Sequence, residues 1–133
     1  MGNIRAVRPR AKAKSGLPTE AEDQIKLAVW LAKMGILFTS SANGGKRNFY
    51  EAVKLKRMGV SKGYPDVAIE MSNKSYHGLR IELKRVSGGV RSPEQLEWQR
   101  RLRENGYCCE FANGLEEAKK IVLDYLQDID KAA

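Results

Sequence analysis

The sequence predicts a mixed α/β domain with the element order α-β-α-β-β-α-β-α, and three observations carry that expectation. Residues 66–71 and 79–86 alternate apolar and polar side chains, as half-buried strands do. Other stretches carry helical periodicity and are bracketed by capping residues. The 133 residues, 42% hydrophobic and 30% charged, are one domain's worth, enough to bury a core without a disulfide or metal staple.

Taken in order, residues 1–17 are basic and aperiodic and read as a flexible tail, and 18–130 as the folded domain. Thr19 is an N-cap, and Glu22 three residues later completes a capping box for a helix to about Met34. Ile36 to Thr39 reads as a short strand, and Ser40 to Asn48, with Asn43-Gly44-Gly45, as a loop. Phe49 to Met58 reads as a basic helix ended by Gly59. Asp66 to Met71 places Val67, Ile69 and Met71 on one face of a strand, and Leu79 to Val86 directs Leu79, Ile81 and Leu83 to the core. The turn residues Ser72 to Ser75 make those two strands a hairpin. After Gly88-Gly89, Ser92 caps a helix that starts at Pro93 and runs to about Glu104. Tyr107 to Phe111 is the next strand, and Leu115 to about Leu126 the last helix.

Lys and Arg number 24 against 16 Asp and Glu, for a net charge of +8 and a pI near 9.6. A surplus of that size points to a polyanionic partner, of which nucleic acid is the commonest. Its cations cluster in the first nineteen residues, between Lys46 and Lys62, and at Arg100, Arg101 and Arg103, while the C-terminal stretch is acidic. No apolar run approaches the roughly 20 residues of a membrane span. The N-terminus lacks a secretory apolar stretch, and Ala6 stands where myristoylation requires Ser or Thr. Cys108 and Cys109 are neighbours that could bridge only with strain, and with one histidine they cannot build a four-ligand zinc site. They read as reduced, buried strand residues of a cytoplasmic protein.

The chemistry lies in the middle of the chain. Glu82 and Lys84, two apart on a strand, leave the face opposite Leu79, Ile81 and Leu83. Asp66 follows Pro65, which stiffens the approach Gly63-Tyr64-Pro65, and its alternation lets it share a face with Glu82. Two adjacent carboxylates repel unless a cation lies between them, and oxygen-only ligands favour Mg²⁺ or Mn²⁺. A lysine beside such a metal suits water attack on a phosphodiester. The plainer alternative is a cross-strand surface ion pair among the three.

The motifs Pro65-Asp66 and Glu82-Leu83-Lys84, fifteen residues apart, resemble the PD-(D/E)xK nuclease signature. Around them stand Glu20 with Gln24, Asn43-Gly44-Gly45-Lys46-Arg47, Lys54-Leu55-Lys56, Gly59-Val60, Gly63-Tyr64, Tyr76 to Arg80, Ser92-Pro93-Glu94-Gln95 with Trp98, and Gly106-Tyr107. In that order they resemble a stand-alone VRR-NUC domain of phage or bacterial type, over about Thr19 to Leu126. Ser41-Ala42-Asn43 departs from relatives that carry proline before the asparagine. The resemblance implies a restriction-endonuclease-like core, a mixed β-sheet flanked by helices. It implies Mg²⁺ or Mn²⁺ held by Asp66, Glu82 and the Leu83 carbonyl, with Lys84 as the catalytic lysine. It also implies an acid from the first helix. At about 100° per residue, Glu20 falls with Gln24, Ala28 and Leu31 on the inward stripe, and Glu22 with Lys26 and Lys33 on the polar side, which selects Glu20. An ordinary first-turn acid facing the helix dipole is the alternative for Glu20.

Gln95 matches the family glutamine that braces the site. Asn43, Gly44, Gly45, Lys46 and Arg47, together with Lys54, Lys56, Lys62 and Tyr64, are candidates for DNA contacts, since glycine-loop amides and flanking cations suit phosphates. Trp98 is read as core and Trp30 as an interface residue, and His77 as structural or exposed. The functional expectation is an endonuclease of branched DNA resembling Holliday-junction resolvases, a homodimer in the cytoplasm of a bacterial or phage-infected cell, without a membrane or a small-molecule cofactor. A non-catalytic DNA-binding domain of the same fold and a flap or nicking nuclease are the alternatives. An RNA-binding role fits less well, because interleaved base-stacking aromatics are not evident.

Overall fold

The computed structural model describes residues 16, 18–41, 48–87 and 89–129. The expected tail (Gly16 apart), Ala42 to Arg47, and Gly88 lie outside them. The elements follow the expected order: α1 (Glu20–Lys33), β1 (Phe38–Ser40), α2 (Phe49–Arg57), β2 (Val67–Ile69), β3 (Leu79–Lys84), α3 (Pro93–Glu104), β4 (Cys108–Asn113) and α4 (Leu115–Gln127). Local chemistry sets most boundaries. Thr19 and Glu22 close the capping box of α1, and Ser92 and Gln95 close that of α3, with Pro93 in its first turn. No described helix is long and apolar enough to cross a membrane.

The sheet order is β1-β2-β3-β4, antiparallel at the first two junctions and parallel between β3 and β4. A parallel pair needs a crossover, and α3 supplies it. One sheet face packs on α1 and α4, where Leu27, Leu31, Val122 and Tyr125 meet Ile69, Leu79, Ile81 and Leu83. Trp30, expected at an interface, lies against this core instead, with Lys119 Nζ 5.6 Å above its ring. Cys108 and Cys109 are free, and burial pushes their thiols up to about 11 and about 12, so both stay protonated at neutral pH.

The strands differ from expectation in one consequential way. Alternation predicts one buried and one open face, yet every residue of β2 and β3 is buried. The crossover helix lies over the second face, so the polar side chains of β3 are enclosed between sheet and helix. By contrast, no residue of α2 is buried.

The approach to β2 is fixed by a close contact. Gly63 has φ +88°, and a Cβ there would stand 2.7 Å from the backbone carbon of Glu94. Only glycine lets the chain pass this close to the first turn of α3. Gly63→Ala is therefore expected to cost at least about 1–2 kcal/mol from the left-handed conformation alone, with further loss from the clash. Denaturant unfolding measures it, and a midpoint equal to wild type would contradict the close approach.

Candidate active site

Arg80, Glu82 and Lys84 occupy alternate positions of β3 and point away from Leu79, Ile81 and Leu83; each is only 6% exposed. Buried charges need partners, and each has them. Lys84 Nζ donates to the Val90 carbonyl at 2.6 Å and to Gln95 Oε1 at 2.7 Å. Gln95 Nε2 donates to Glu82 Oε2 at 3.1 Å. The amide orientation is set by its own helix, because Gln95 Oε1 also accepts the Ser92 N–H at 3.0 Å. One glutamine thus caps α3 and links Glu82 to Lys84.

Asp66 arrives from β2. The register pairs Val67 with Ile81, and two residues further on Pro65 would stand opposite Leu83. Proline has no N–H for a ladder, and the Leu83 N–H instead donates to Asp66 Oδ2 at 2.8 Å. Ser41 secures the backbone: its N–H donates to the Asp66 carbonyl at 2.8 Å and its Oγ to the Pro65 carbonyl at 2.9 Å. Within a strand, a residue's C=O leaves on the same edge as its N–H, so the Leu83 carbonyl is directed to the Asp66 side.

These placements bring the Asp66 and Glu82 carboxyls close enough to share a proton. Burial pushes the Glu82 carboxyl up to about 9, the Asp66 charge and their mutual hydrogen bond push the same way, Lys84 pulls it back, and Glu20 adds a smaller upward push. The pair is stable with a proton or a cation between its oxygens. That donor set, carboxylate oxygens with a backbone carbonyl beside them, fits a hard divalent ion. Asp66, Glu82, the Leu83 carbonyl and Glu20 are the groups that could hold one. Among the described residues no three ligating side chains already stand as a closed cluster; Asp66 and Glu82 converge, and Glu20 acts at longer range. Glu22 is differently placed, its Oε1 accepting the Thr19 N–H at 2.9 Å in the capping box.

Arg80 was not singled out from sequence, although the alternation that selects Glu82 and Lys84 reaches it one step earlier. Its Nε donates to the Tyr64 hydroxyl at 3.1 Å, its guanidinium pairs with Glu70 at 3.2 Å, and it lies 4.5 Å over the Tyr107 ring. Tyr64, a candidate for DNA contact, is half-buried and packs edge-on to Trp98 at 4.9 Å between centroids. Trp98 is half-buried in that contact, outside the main core. His77 is exposed, with its ring edge-on to Tyr107.

Of the remaining DNA-contact candidates, Lys54, Lys56 and Lys62 are exposed. Asn43, Gly44, Gly45, Lys46 and Arg47 lie outside the described residues. Phe49 and Tyr50 are exposed in the same helix as Lys54 and Arg57, a pairing of open aromatics with cations that the sequence reading did not single out.

No family model matches the chain, and neither does any curated protein. A solved structure described as a VRR_NUC domain protein does, with a TM-score of 0.74 and 32% sequence identity, over 84% of this chain and 91% of that one.

The raised Glu82 group sets a pH dependence. The folded protein keeps a proton that the unfolded chain releases above an ordinary value of 4.5, so stability without metal falls as pH rises from there towards 9. Glu82→Gln has no proton to lose. In EDTA its melting temperature is expected to gain on wild type steadily from pH 5 to pH 9. A gap that stays constant over that range would contradict the raised carboxyl.

Proposed function

The chain belongs to the VRR-NUC domain family and folds as a nuclease-like domain, and from that premise we propose that it is a metal-dependent endonuclease of branched DNA, a homodimer of the Holliday-junction resolvase type using Mg²⁺ or Mn²⁺. The observation that carries this reading is the pairing of half-buried Asp66 with buried Glu82, with buried Lys84 beside them. A domain that only bound DNA would gain nothing from two carboxylates facing a phosphate, because without a cation they repel it.

Asp66, Glu82, the Leu83 carbonyl and Glu20 are the proposed ligands. When bound, the cation supplies Lewis acidity at the phosphate and a more acidic water. The chain's own groups do the rest. Lys84 is an ammonium with three donors, two of which go to Val90 and Gln95. The third is available to a phosphoryl oxygen or to the attacking water, and the ammonium offsets charge that develops on the phosphate. Gln95 holds Lys84 and Glu82 at fixed spacing, and a rigid capped helix holds Gln95. Enclosure strengthens each of these interactions by lowering the local dielectric. Lys54, Lys56 and Lys62 supply backbone attraction without sequence preference. A two-fold dimer matches a junction with two equivalent strands.

Lys84→Ala is expected to lower the cleavage rate at least about a hundredfold while leaving junction affinity within a few fold. Comparable loss of both would contradict its role. Glu20→Gln is expected to be severe in the same assay and Glu22→Gln mild, the latter costing about 1 kcal/mol of stability or less as a capping change; the opposite order would reassign the helix acid. The proposal as a whole is tested with labelled four-way junction, flap and linear duplex in Mg²⁺, Mn²⁺ or EDTA. Paired symmetric nicks confined to the junction and lost in EDTA support it, and tight salt-sensitive binding without cutting under any metal overturns it.

A further inference from the structure

The least expected surface of the molecule is on α2. Phe49 is 75% exposed and Tyr50 82%, and their rings meet edge-on with centroids 5.7 Å apart. At about 100° per residue, Phe49, Val53, Arg57, Tyr50 and Lys54 form one stripe, Met58 at the helix end joins its lining, and Glu51 falls outside it. The opposite side, Ala52, Leu55 and Lys56, faces an open cleft. Its other wall is the turn 59–63 with Glu94 of α3, the residue before Gln95. The stripe therefore faces outward, one cleft away from the Glu82–Gln95–Lys84 group.

Two occupants could cover such a stripe. A second copy meeting it across a two-fold axis would set the stripe against itself, residue i meeting j and j meeting i. The interface would then gather two copies each of Lys54 and Arg57, with no acid on the stripe to offset them. A nucleic acid has the opposite property, because its phosphates take the cations and an unstacked base offers a flat face to the rings. Charge complementarity selects the nucleic acid.

We propose that α2 is a stacking element for branched DNA: Phe49 and Tyr50 take the exposed face of an unpaired or helix-end base, and Lys54 and Arg57 contact the neighbouring phosphates. The inference rests on the branched-DNA reading above and adds to it the element that distinguishes a branch from a continuous duplex. Within a continuous duplex, away from its two ends, every base face is already stacked, so the rings find no site and only the cations contribute. At a branch, bases at the crossover present faces to be covered. The preference for branched DNA then belongs to the aromatics, and the salt-dependent attraction common to all DNA belongs to Lys54 and Arg57.

The test uses the full chain in EDTA, with affinity for a four-way junction and for a linear duplex measured in parallel, and 2-aminopurine placed at the crossover as a stacking probe. Wild type is expected to prefer the junction and to change the probe's fluorescence. The double variant Phe49→Leu, Tyr50→Leu is expected to lose roughly fivefold to a hundredfold in junction affinity, with less than twofold change on duplex and no probe response. Phe49→Trp is expected to keep the preference, and since both positions are exposed the circular dichroism of every variant should match wild type. Equal losses on both DNAs, or no loss, would overturn the stacking role. Loss of a concentration-dependent dimer in the leucine variant, with junction preference intact, would give the stripe to a second copy. Wild type that binds both DNAs equally defeats the branched-DNA reading, wild type that binds neither defeats the DNA reading, and each takes this inference with it.

Discussion

The structure is organised around the burial of charge on one face of a central strand. Arg80, Glu82 and Lys84 are enclosed where an apolar row would be easier to cover, and an unpaired buried charge costs several kcal/mol. Each therefore dictates something nearby. Lys84 fixes the loop through the Val90 carbonyl, Glu82 and Lys84 together fix the rotamer of Gln95, and Arg80 fixes Tyr64 just before Pro65-Asp66. The parallel crossover makes this possible by bringing the first turn of α3 over the C-terminal end of β3.

Within that enclosure, Asp66 and Glu82 oppose the general trend. Arg80 is paired with Glu70 and Lys84 is held by the Val90 carbonyl and Gln95, whereas Asp66 and Glu82 face one another and the Glu82 carboxyl is raised well above its ordinary range. The strain is local and is relieved by a proton or by a cation. The pair is unfavourable when both carboxyls are ionised and nothing lies between them. The helix cap adds rigidity. Gln95 cannot turn away from Glu82 without also leaving Ser92, so the position of one catalytic candidate is coupled to the integrity of the helix start.

The second helix is built on the opposite principle. It buries nothing and keeps its aromatics and cations outward, and the short turn that ends at Gly63 leads from it to the enclosed region. The molecule thus divides into a stiff layer that holds Glu82, Lys84 and Gln95 and an open arm whose outer face carries aromatics and cations. Tyr64 belongs to the first part and not the second, since its hydroxyl and ring are committed to Arg80 and Trp98.

Much of this was legible in the chain itself. Element order follows from periodicities and caps that are local in sequence: Thr19 with Glu22, Ser92 with Pro93 and Gln95, Gly59 after the second helix. The spacing of Asp66, Glu82 and Lys84 already puts them on adjacent strands with compatible faces, and helical phase separates Glu20 from Glu22. Tertiary structure decided what lies over each face. Alternation along β3 says which residues point together, but nothing in it says whether water or α3 covers them, and hence whether Glu82 titrates as a surface acid or near 9. Nor could it say that Phe49 and Tyr50 stay exposed, because an amphipathic stripe looks the same in sequence whether a neighbour packs on it or not. Periodicity reports direction, while burial depends on residues far along the chain.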